Sequence, residues 1–302
     1  MSSGDSAPQL TVATVAADAL QDVLGIADAA HRADGTDPFN EQTRLDLPSG
    51  RRVAHTGALD GIVVAAAATA EGELDLVVAP EQRGHGYGTA MLERLLPSLE
   101  GDVSAWSHGN HPAAGALAAS HGFERVRTLL RLVLPRLDDV AAIGDRSGIG
   151  APDGIRLTTF DHDADSADWL ALNARAFARH PEQGSMTAAD LAEREAEPWF
   201  DGRDFLIARD ADDRMVGFHW MKREPGSPEG EVYVLGVDPD TAGKGLGRFL
   251  LTQGLRRMRE NDATRASLYV EGDNERALAL YRRIGFVDDT IDVQYRRSRE
   301  KP

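Results

Sequence analysis

Two glycine-rich loops are the segments of this chain best suited to hold a phosphate group. They occupy residues 83–88, which read RGHGYG, and residues 242–247, which read AGKGLG. Each stands between a strand-like apolar run and a helix-like run. Glycine lets backbone N–H groups approach a ligand, and a helix start adds partial positive charge. The pattern therefore favours binding of a pyrophosphate, although either loop alone could also be a simple turn.

Two familiar phosphate-binding patterns do not fit these loops. A Walker A loop requires a Gly-Lys pair followed by Ser or Thr, and neither loop contains it. The dinucleotide fingerprint requires a third glycine three residues after the second, and that glycine is also missing from both. The loops therefore do not predict a P-loop NTPase or a dinucleotide-binding Rossmann domain.

The two loops belong to an internal repeat. A spacing of 159 residues separates Val78 from Val237, and the same spacing separates Gly86 from Gly245. A later Gly-Phe pair recurs with a spacing of 163 residues. A spacing that drifts by only four residues indicates duplication of one domain. A chain of 302 residues is long enough for two domains of about 150 residues each.

The elements that must position these loops follow the same order in both halves. A helical region is followed by strands, the glycine-rich loop, a helix, another strand, another helix and a last strand. This order predicts an α/β fold with a mixed (α+β) sheet in each half. A Gly-, Asp- and Pro-rich stretch after Pro135 predicts a linker over 141–154. The predicted domains are residues 1–140 and 155–302.

Residues 274–281 (NERALALY) and the Gly-Phe pair at 285–286 complete a recognisable pattern with the loop of the second half. The pattern resembles the GNAT superfamily of acyl-CoA N-acyltransferases, and the resemblance covers both halves. It implies two tandem GNAT domains with one acetyl-CoA each, whose pyrophosphate lies in the loop and whose pantetheine arm lies between two splayed strands. The implied cofactor-binding residues of the first half are Leu76, Val77, Val78, Arg83, Gly84, His85, Gly86, Tyr87 and Gly88. Those of the second half are Leu235, Gly236, Val237, Ala242, Gly243, Lys244, Gly245, Leu246, Gly247, Arg248, Asn274, Glu275, Arg276, Ala277, Leu278 and Ala279.

Four further segments narrow the resemblance. Residues 180–184 (HPEQG), 217–222 (GFHWMK), 230–239 (GEVYVLGVDP) and 268–274 (LYVEGDN) resemble tandem members of the superfamily that acetylate the cysteinyl amine of a cysteinyl-glucosaminyl-inositol. The resemblance implies that five residues bind this small-molecule amine: Glu41, Glu182, Lys222, Glu231 and Tyr269. A surface-loop carboxylate is an equally good account of Glu41, which the first half contributes.

The proposed chemistry needs a base for the amine and an acid for the departing thiolate. An α-amino group has a pKa of about 8, so one modest base suffices. Strand alternation predicts that Glu231, Tyr233, Leu235 and Val237 share one face, which makes Glu231 the candidate base. By resemblance, Tyr281 protonates the thiolate of coenzyme A. The alternatives are a solvated carboxylate at a strand start and a packed aromatic on an amphipathic helix.

A backbone N–H at Leu235 or Val237 is the candidate donor to the thioester oxygen. The first half lacks counterparts of the two proton-transfer groups, because the repeat spacings place Gly72 where the second half has Glu231 and Ala118 where it has Tyr281. We therefore expect the first half to bind acetyl-CoA without turning it over.

Composition excludes several other classes. The net charge of −16 disfavours nucleic acid and anionic membranes as partners. The chain has no cysteine, so disulfides, thiolate ligands and a cysteine nucleophile are excluded. No signal peptide or membrane-spanning run is visible, so we expect a cytoplasmic protein, and we expect it to be a monomer.

No metal is expected either. Residues 161–165 begin like a calcium loop, but Ser166 and Leu172 stand where that loop needs Gly and Glu. His108 and His111 have no further ligand in a recognisable pattern. Two alternatives remain for the function, namely an acetyltransferase for another amine (a protein N-terminus or an aminoglycoside) and an acyl-CoA sensor without turnover.

Overall fold

The chain folds as two compact units in the computed structural model, which describes residues 10–138, 150–178 and 180–299, without the side chains of residues 181 and 182. The first unit comprises Met1–Leu129 and Thr290–Pro302, and the second comprises Leu130–Asp289. Most of the predicted linker, residues 141–149, lies outside the described residues. Within the described residues, no helix is long and apolar enough to cross a membrane.

The first unit contains one sheet with helices packed on it. Its strands are β1 (Thr11–Val15), β2 (Val53–Leu59), β3 (Ile62–Ala70), β4 (Glu73–Val78) and β5 (Val103–Ser107). Its helices are α1 (Gln21–Asp34), α2 (Glu41–Ser49), α3 (Tyr87–Leu95) and α4 (Pro112–Ser120). The strands pair antiparallel from β1 to β4, and β4 then runs parallel to β5. The alanine-rich β3 is almost completely buried, which allows apolar side chains of α1 and α3 to pack closely on either side of the sheet.

The second unit repeats this arrangement. Its strands are β7 (Arg156–Thr159), β8 (Phe205–Arg209), β9 (Met215–Lys222), β10 (Glu229–Val237) and β11 (Arg265–Glu271). Its helices are α5 (His162–Ala176), α6 (Pro181–Gly184), α7 (Ala188–Glu195), α8 (Leu246–Glu260) and α9 (Glu275–Ile284). Strands β7 to β10 pair antiparallel, and β10 runs parallel to β11.

The last strand of each unit comes from the other half of the chain. Strand β6 (Glu124–Leu134) follows the first half, yet its end lies beside β11 in the second unit, where Leu132 and Leu134 are buried in the core. Strand β12 (Val287–Arg297) follows the second half, and its end pairs antiparallel with β5 in the first unit. The compact units therefore differ from the predicted ranges 1–140 and 155–302. Sequence pattern indicates a strand but not its partner, which long-range packing selects.

A β-bulge in β10 overturns the predicted alternation. Val232 lies opposite Met221, and Val234 lies opposite Trp220, so Tyr233 is the extra residue. A bulge shifts every later side chain to the other face of the sheet. Tyr233 packs with the tryptophan cluster on one face, whereas Leu235 packs toward α8 on the opposite face. The prediction of a single shared face for Glu231, Tyr233, Leu235 and Val237 is therefore wrong.

Candidate active site

The glycine-rich loops have the same backbone geometry in both units. Gly84 and Gly86 have φ angles of 79° and 81°, and Gly243 and Gly245 have φ angles of 93° and 86°. Only glycine adopts this left-handed region without strain. Gly86 and Gly245 are the N-caps of α3 and α8, and glycine has no side chain with which to accept the first N–H groups of a helix. The first N–H groups of both helices therefore face the loop, where an anionic group would accept them.

Cationic side chains lie around the loop of the second unit. The Nη2 atom of Arg276 is 4.0 Å from the position that a Cβ atom of Gly243 would occupy. The Nε atom of Arg248, near the start of α8, is buried and has no hydrogen-bond partner among the described residues. Asn274 caps α9 by accepting the N–H of Ala277 at 3.1 Å. The two arginines place positive charge beside the loop, as binding of an anionic phosphate group requires, and the cofactor-binding roles stay predictions.

Both units have a parallel strand pair whose pairing is short. In the second unit, β10 pairs with β11 from Glu229–Arg265 to Val232–Leu268, whereas its pairing with β9 continues to Val237–Gly217. Among the described residues, the part of β10 after Val232 therefore pairs with β9 and not with β11. The bulge at Tyr233 begins at this point. The geometry provides an edge at which an extended pantetheine arm can lie, with N–H groups of β10 beside it.

A cavity of about 330 Å³ lies at the corresponding place in the first unit. Strands β4 and β5, the loop and α4 form its walls. Among the predicted cofactor-binding residues, the cavity is lined by Leu76, Val77, Val78, Arg83, Gly84, Gly86, Tyr87 and Gly88. His85 is not part of this lining, and its ring stacks on Tyr87 at 5.8 Å.

The side chain of Arg83 already has an anionic partner. Its Nη1 and Nη2 atoms donate to the two carboxylate oxygens of Asp34, each at 2.7 Å, and Nε donates to the carbonyl of Val78 at 3.3 Å. Hydrogen bonding to Arg83 holds the pKa of Asp34 below its ordinary value. Asp34 also lines the cavity. A pyrophosphate in the first unit would therefore meet a guanidinium that is shared with a carboxylate.

Strand β12 brings residues to the first unit that sequence reasoning did not find. Tyr295 lines the cavity. Asp292 accepts from the ring of His108 at 2.9 Å and from the N–H of Gly109 at 2.8 Å. Burial opposes protonation of His108, but the hydrogen bond and charge of Asp292 outweigh it and raise the pKa of the imidazole. Because 184 residues separate the two partners, no local pattern could have revealed this pair.

Glu231 and Lys222 are cross-strand neighbours in the second unit. Cβ atoms of directly opposed residues lie about 5 Å apart on the same face of a sheet. The Nζ atom of Lys222 lies 5.1 Å from the ring centre of Trp199 and 3.3 Å from Oε1 of Glu224. Glu231 is half-buried. The structure therefore brings these two predicted substrate-binding residues together.

Tyr281 belongs to α9, and its side chain is buried in the core, with 7% of the residue's surface exposed. Its ring contacts Phe286 edge-on, with a centroid distance of 5.8 Å. Burial raises the pKa of the phenol to about 12. A phenol in this environment stays protonated throughout the neutral range, as a general acid must before its proton is needed.

The other predicted substrate-binding residues lie on different elements. Tyr269 is exposed on β11. Glu182 lies in α6, and its side chain lies outside the described part of the structure; the buried Asn173 fixes the neighbouring Gln183 through hydrogen bonds of 2.6 and 2.9 Å. Glu41 is the first residue of α2 and belongs to the first unit.

No group of three His, Cys, Asp or Glu residues that could hold a metal ion occurs among the described residues.

Comparison with known proteins decides the family. The model of the acetyltransferase (GNAT) family matches residues 25–123 and 169–286. The mycothiol acetyltransferase of Clavibacter sepedonicus is 48% identical over 299 residues, which cover 97% of this chain and 96% of that protein. The mycothiol acetyltransferase of Geodermatophilus obscurus is 43% identical, with 92% and 94% covered. The chain belongs to the mycothiol acetyltransferases of the GNAT family.

Solved structures agree with the fold of this acetyltransferase. A tandem GNAT protein from the clavulanic acid biosynthesis pathway has a TM-score of 0.71 at 19% identity, covering 96% of this chain and 98% of that one. A GCN5-related N-acetyltransferase from Sphaerobacter thermophilus has a TM-score of 0.68 at 19% identity, with 97% of both chains covered. The predicted tandem GNAT architecture and the narrowed resemblance are thus confirmed, whereas the roles of individual residues stay predictions.

Proposed function

We propose that this acetyltransferase transfers the acetyl group of acetyl-CoA to the cysteinyl amine of 1D-myo-inositol 2-(L-cysteinylamino)-2-deoxy-α-D-glucopyranoside, the last step of mycothiol biosynthesis. Identity of 48% to a mycothiol acetyltransferase along nearly the whole chain is the observation that carries this proposal. The half-buried carboxylate of Glu231 beside Lys222 supports it chemically.

Acetyl-CoA, as the co-substrate, supplies an activated thioester. Glu231 removes a proton from the acceptor ammonium, directly or through a water molecule, which frees the nitrogen lone pair. An N–H of β10 beyond the bulge, at Leu235 or Val237, donates to the thioester oxygen as negative charge develops there. Backbone donors suit this role because the sheet fixes them before the reaction begins.

Tyr281 donates its proton to the departing thiolate. Its pKa of about 12 lies above that of a typical thiol, about 8.5, so complete proton transfer to a free thiolate is uphill. The attacking nitrogen loses a second proton as it becomes an amide, and this proton restores the phenol while the C–S bond breaks. No covalent enzyme intermediate is needed, because the amine attacks the thioester directly. The amide nitrogen of the product is no longer basic, which makes the transfer effectively one-way.

Polar residues of the second unit are proposed to hold the sugar and inositol hydroxyls. Lys222 offers a cation, Tyr269 offers an exposed phenol, and Glu182 offers a carboxylate. Glu41 is proposed as the contribution of the first half. The first unit is proposed to bind a second acetyl-CoA in its 330 Å³ cavity without turnover. Neither site is proposed to need a metal.

The test is release of coenzyme A from acetyl-CoA with the cysteinyl-glucosaminyl-inositol acceptor, run beside peptide and aminoglycoside amines. We expect rapid turnover with the cysteinyl acceptor only. Turnover of a different amine would replace the acceptor but keep the reaction class. Silence with every amine, while acetyl-CoA still binds, would instead establish an acyl-CoA sensor.

A further inference from the structure

Lys222 ends β9 with its charged group among aromatic rings. Its side chain is 15% exposed. The Nζ atom lies 5.1 Å from the ring centre of Trp199 and 5.7 Å from that of Tyr233. Both distances fall within the range of a cation–π interaction, which strengthens when the cation is partly removed from water. Two ring faces therefore contact one ammonium group.

The rings that contact Lys222 are themselves fixed. The centroids of Trp199 and Tyr233 lie 5.1 Å apart, and the rings pack on Trp220 at 6.0 and 5.2 Å. The hydroxyl of Tyr233 accepts a hydrogen bond of 2.9 Å from Nε of Arg194. Tyr233 is the bulged residue of β10, and the bulge directs its ring to the face that carries Lys222.

Lysine is scarce in this chain, which strengthens the case for a specific role. Lys222, Lys244 and Lys301 are the three lysines of the sequence, and arginine supplies the other 30 cations. An ammonium is a compact charge that a ring face can hold at one point, whereas a guanidinium is wide and planar. A single point charge also suits recognition of one hydroxyl or carboxylate oxygen.

We propose that Trp199 and Tyr233 are positioning residues that hold the Lys222 ammonium beside Glu231 for recognition of a polyhydroxylated acceptor. This inference rests on the proposed function, because Lys222 is taken to contact the acceptor. The ion pair of the Lys222 Nζ with Glu224, at 3.3 Å, is weak because the side chain of Glu224 is 59% exposed. Without the rings, the four-carbon side chain of Lys222 therefore samples more rotamers, and acceptor binding must then order it. Removing the rings therefore weakens binding of the acceptor and does not affect the glycine-rich loop proposed to bind acetyl-CoA.

The first test is a double-mutant cycle between Trp199→Leu and Lys222→Met. In the parent background we expect Trp199→Leu to raise the KM of the acceptor about tenfold, with the KM of acetyl-CoA within twofold of the parent value. In the Lys222→Met background the same change should alter the acceptor KM by less than twofold, because the cation is gone. An equal tenfold effect in both backgrounds would overturn the proposal.

Phe200→Leu is the matched control, because this ring packs on Trp199 and Trp220 but is not one of the two that contact Lys222. We expect a lowered melting temperature with an unchanged acceptor KM. Trp199→Phe serves if the leucine variant does not fold, with a smaller rise in the acceptor KM expected. A rise for Phe200→Leu that matches the rise for Trp199→Leu or Trp199→Phe would assign the effect to the whole cluster and refute the proposal.

A second test does not depend on catalysis. Reductive methylation with ¹³C labels the three lysines and the N-terminus, and Lys222→Arg assigns one NMR signal. We expect the dimethyl signal of Lys222 to be shifted upfield by the two rings and to move toward the signals of the other lysines in Trp199→Leu. An unshifted Lys222 signal would overturn the inference even in an active enzyme. A shifted signal with no turnover of the acceptor would support the positioning of Lys222 by the two rings and reject the proposed function.

Discussion

Glu231 stands directly opposite Lys222 in the antiparallel pair of β9 and β10, two residues before the bulged Tyr233. The pair lies where the parallel register between β10 and β11 comes to its end, at Val232. Glu231 therefore lies in a regularly paired part of the sheet, and the regular pairing of β10 ends directly after it. This arrangement places the proposed base next to the strand edge at which the thioester is proposed to lie.

Replacing Glu231 with Gln removes the proposed base and preserves the side-chain shape. We expect kcat to fall by about 10²- to 10⁴-fold near neutral pH. Because the amine loses its own proton above its pKa of about 8, the deficit should shrink as the pH rises. Steady-state rates from pH 6.5 to 9.5 measure this. A variant whose kcat is unchanged but whose acceptor KM rises would restrict Glu231 to binding.

Replacing Tyr281 with Phe removes the proposed acid. The phenol forms no hydrogen bond within the described structure, so the variant should keep its melting temperature while kcat falls about 10²-fold. Since burial raises the pKa to about 12, the parent should show no alkaline loss from this group below pH 11. An acetyl thioester with a more acidic thiol should narrow the gap, because its thiolate leaves without a proton. An undiminished gap would argue against the acid role.

Alanine at one glycine of each loop tests the two proposed acetyl-CoA sites separately. Gly86 and Gly245 have positive φ angles, where a side chain costs about 1–2 kcal/mol. We expect Gly245→Ala to abolish turnover and Gly86→Ala to leave most of it. Calorimetric titration should give two equivalents of acetyl-CoA for the parent and one for each variant. One equivalent in the parent would show that only one unit binds.

His219 links stability to acidic pH. It is fully buried, its Nδ1–H donates to the carbonyl of Leu250 at 2.9 Å, and burial lowers its pKa to about 4. In the unfolded chain His219 binds a proton near pH 6.5, whereas in the folded chain it does so only near pH 4. The free energy of unfolding therefore falls as the pH drops from about 6.5 to about 4, by about 3 kcal/mol in all, and this group does not change it at higher pH. Urea unfolding of the parent and His219→Gln at pH 7 and 4.5 should show a smaller acid loss in the variant.

Gly254 lies against the ring of His219 and provides a second test of this packing. A Cβ atom at residue 254 would lie 1.9 Å from Cε1 of His219, so Gly254→Ala forces the ring or helix α8 to move. We expect a loss of about 3 kcal/mol at neutral pH, measured by the same urea titration. Gly25→Ala is the control, because no atom lies within 4 Å of its Cβ position.

The exchange of strands dictates which fragments fold. Residues 155–302 lack Leu132 and Leu134, which are buried in the core of the second unit. Residues 130–289 contain them. We expect cooperative thermal unfolding of the fragment 130–289 and none of the fragment 155–302, as followed by circular dichroism. Cooperative unfolding of 155–302 alone would mean that β6 is dispensable.

The sequence predicted the features that local chemistry controls. The glycines of the two loops have positive φ, and helices start at both, because steric freedom at a single residue is encoded in its identity. The duplication could also be predicted, since matching residues of the two halves recur at nearly equal spacings in the sequence. Resemblance supplied the family, and the relatives and the family model agree with it, while the solved structures agree with the fold.

Other features were decided only by tertiary structure. Strand β12 pairs with β5, Asp292 binds His108, and the bulge at Tyr233 changes which face Leu235 occupies. Each depends on groups far apart in the chain or on the register between neighbouring strands. Sequence alone determines which residues can form a loop, a strand or a proton-transfer pair. Packing decides their partners, because apolar strands of similar pattern can pair in several ways and the whole core selects among them.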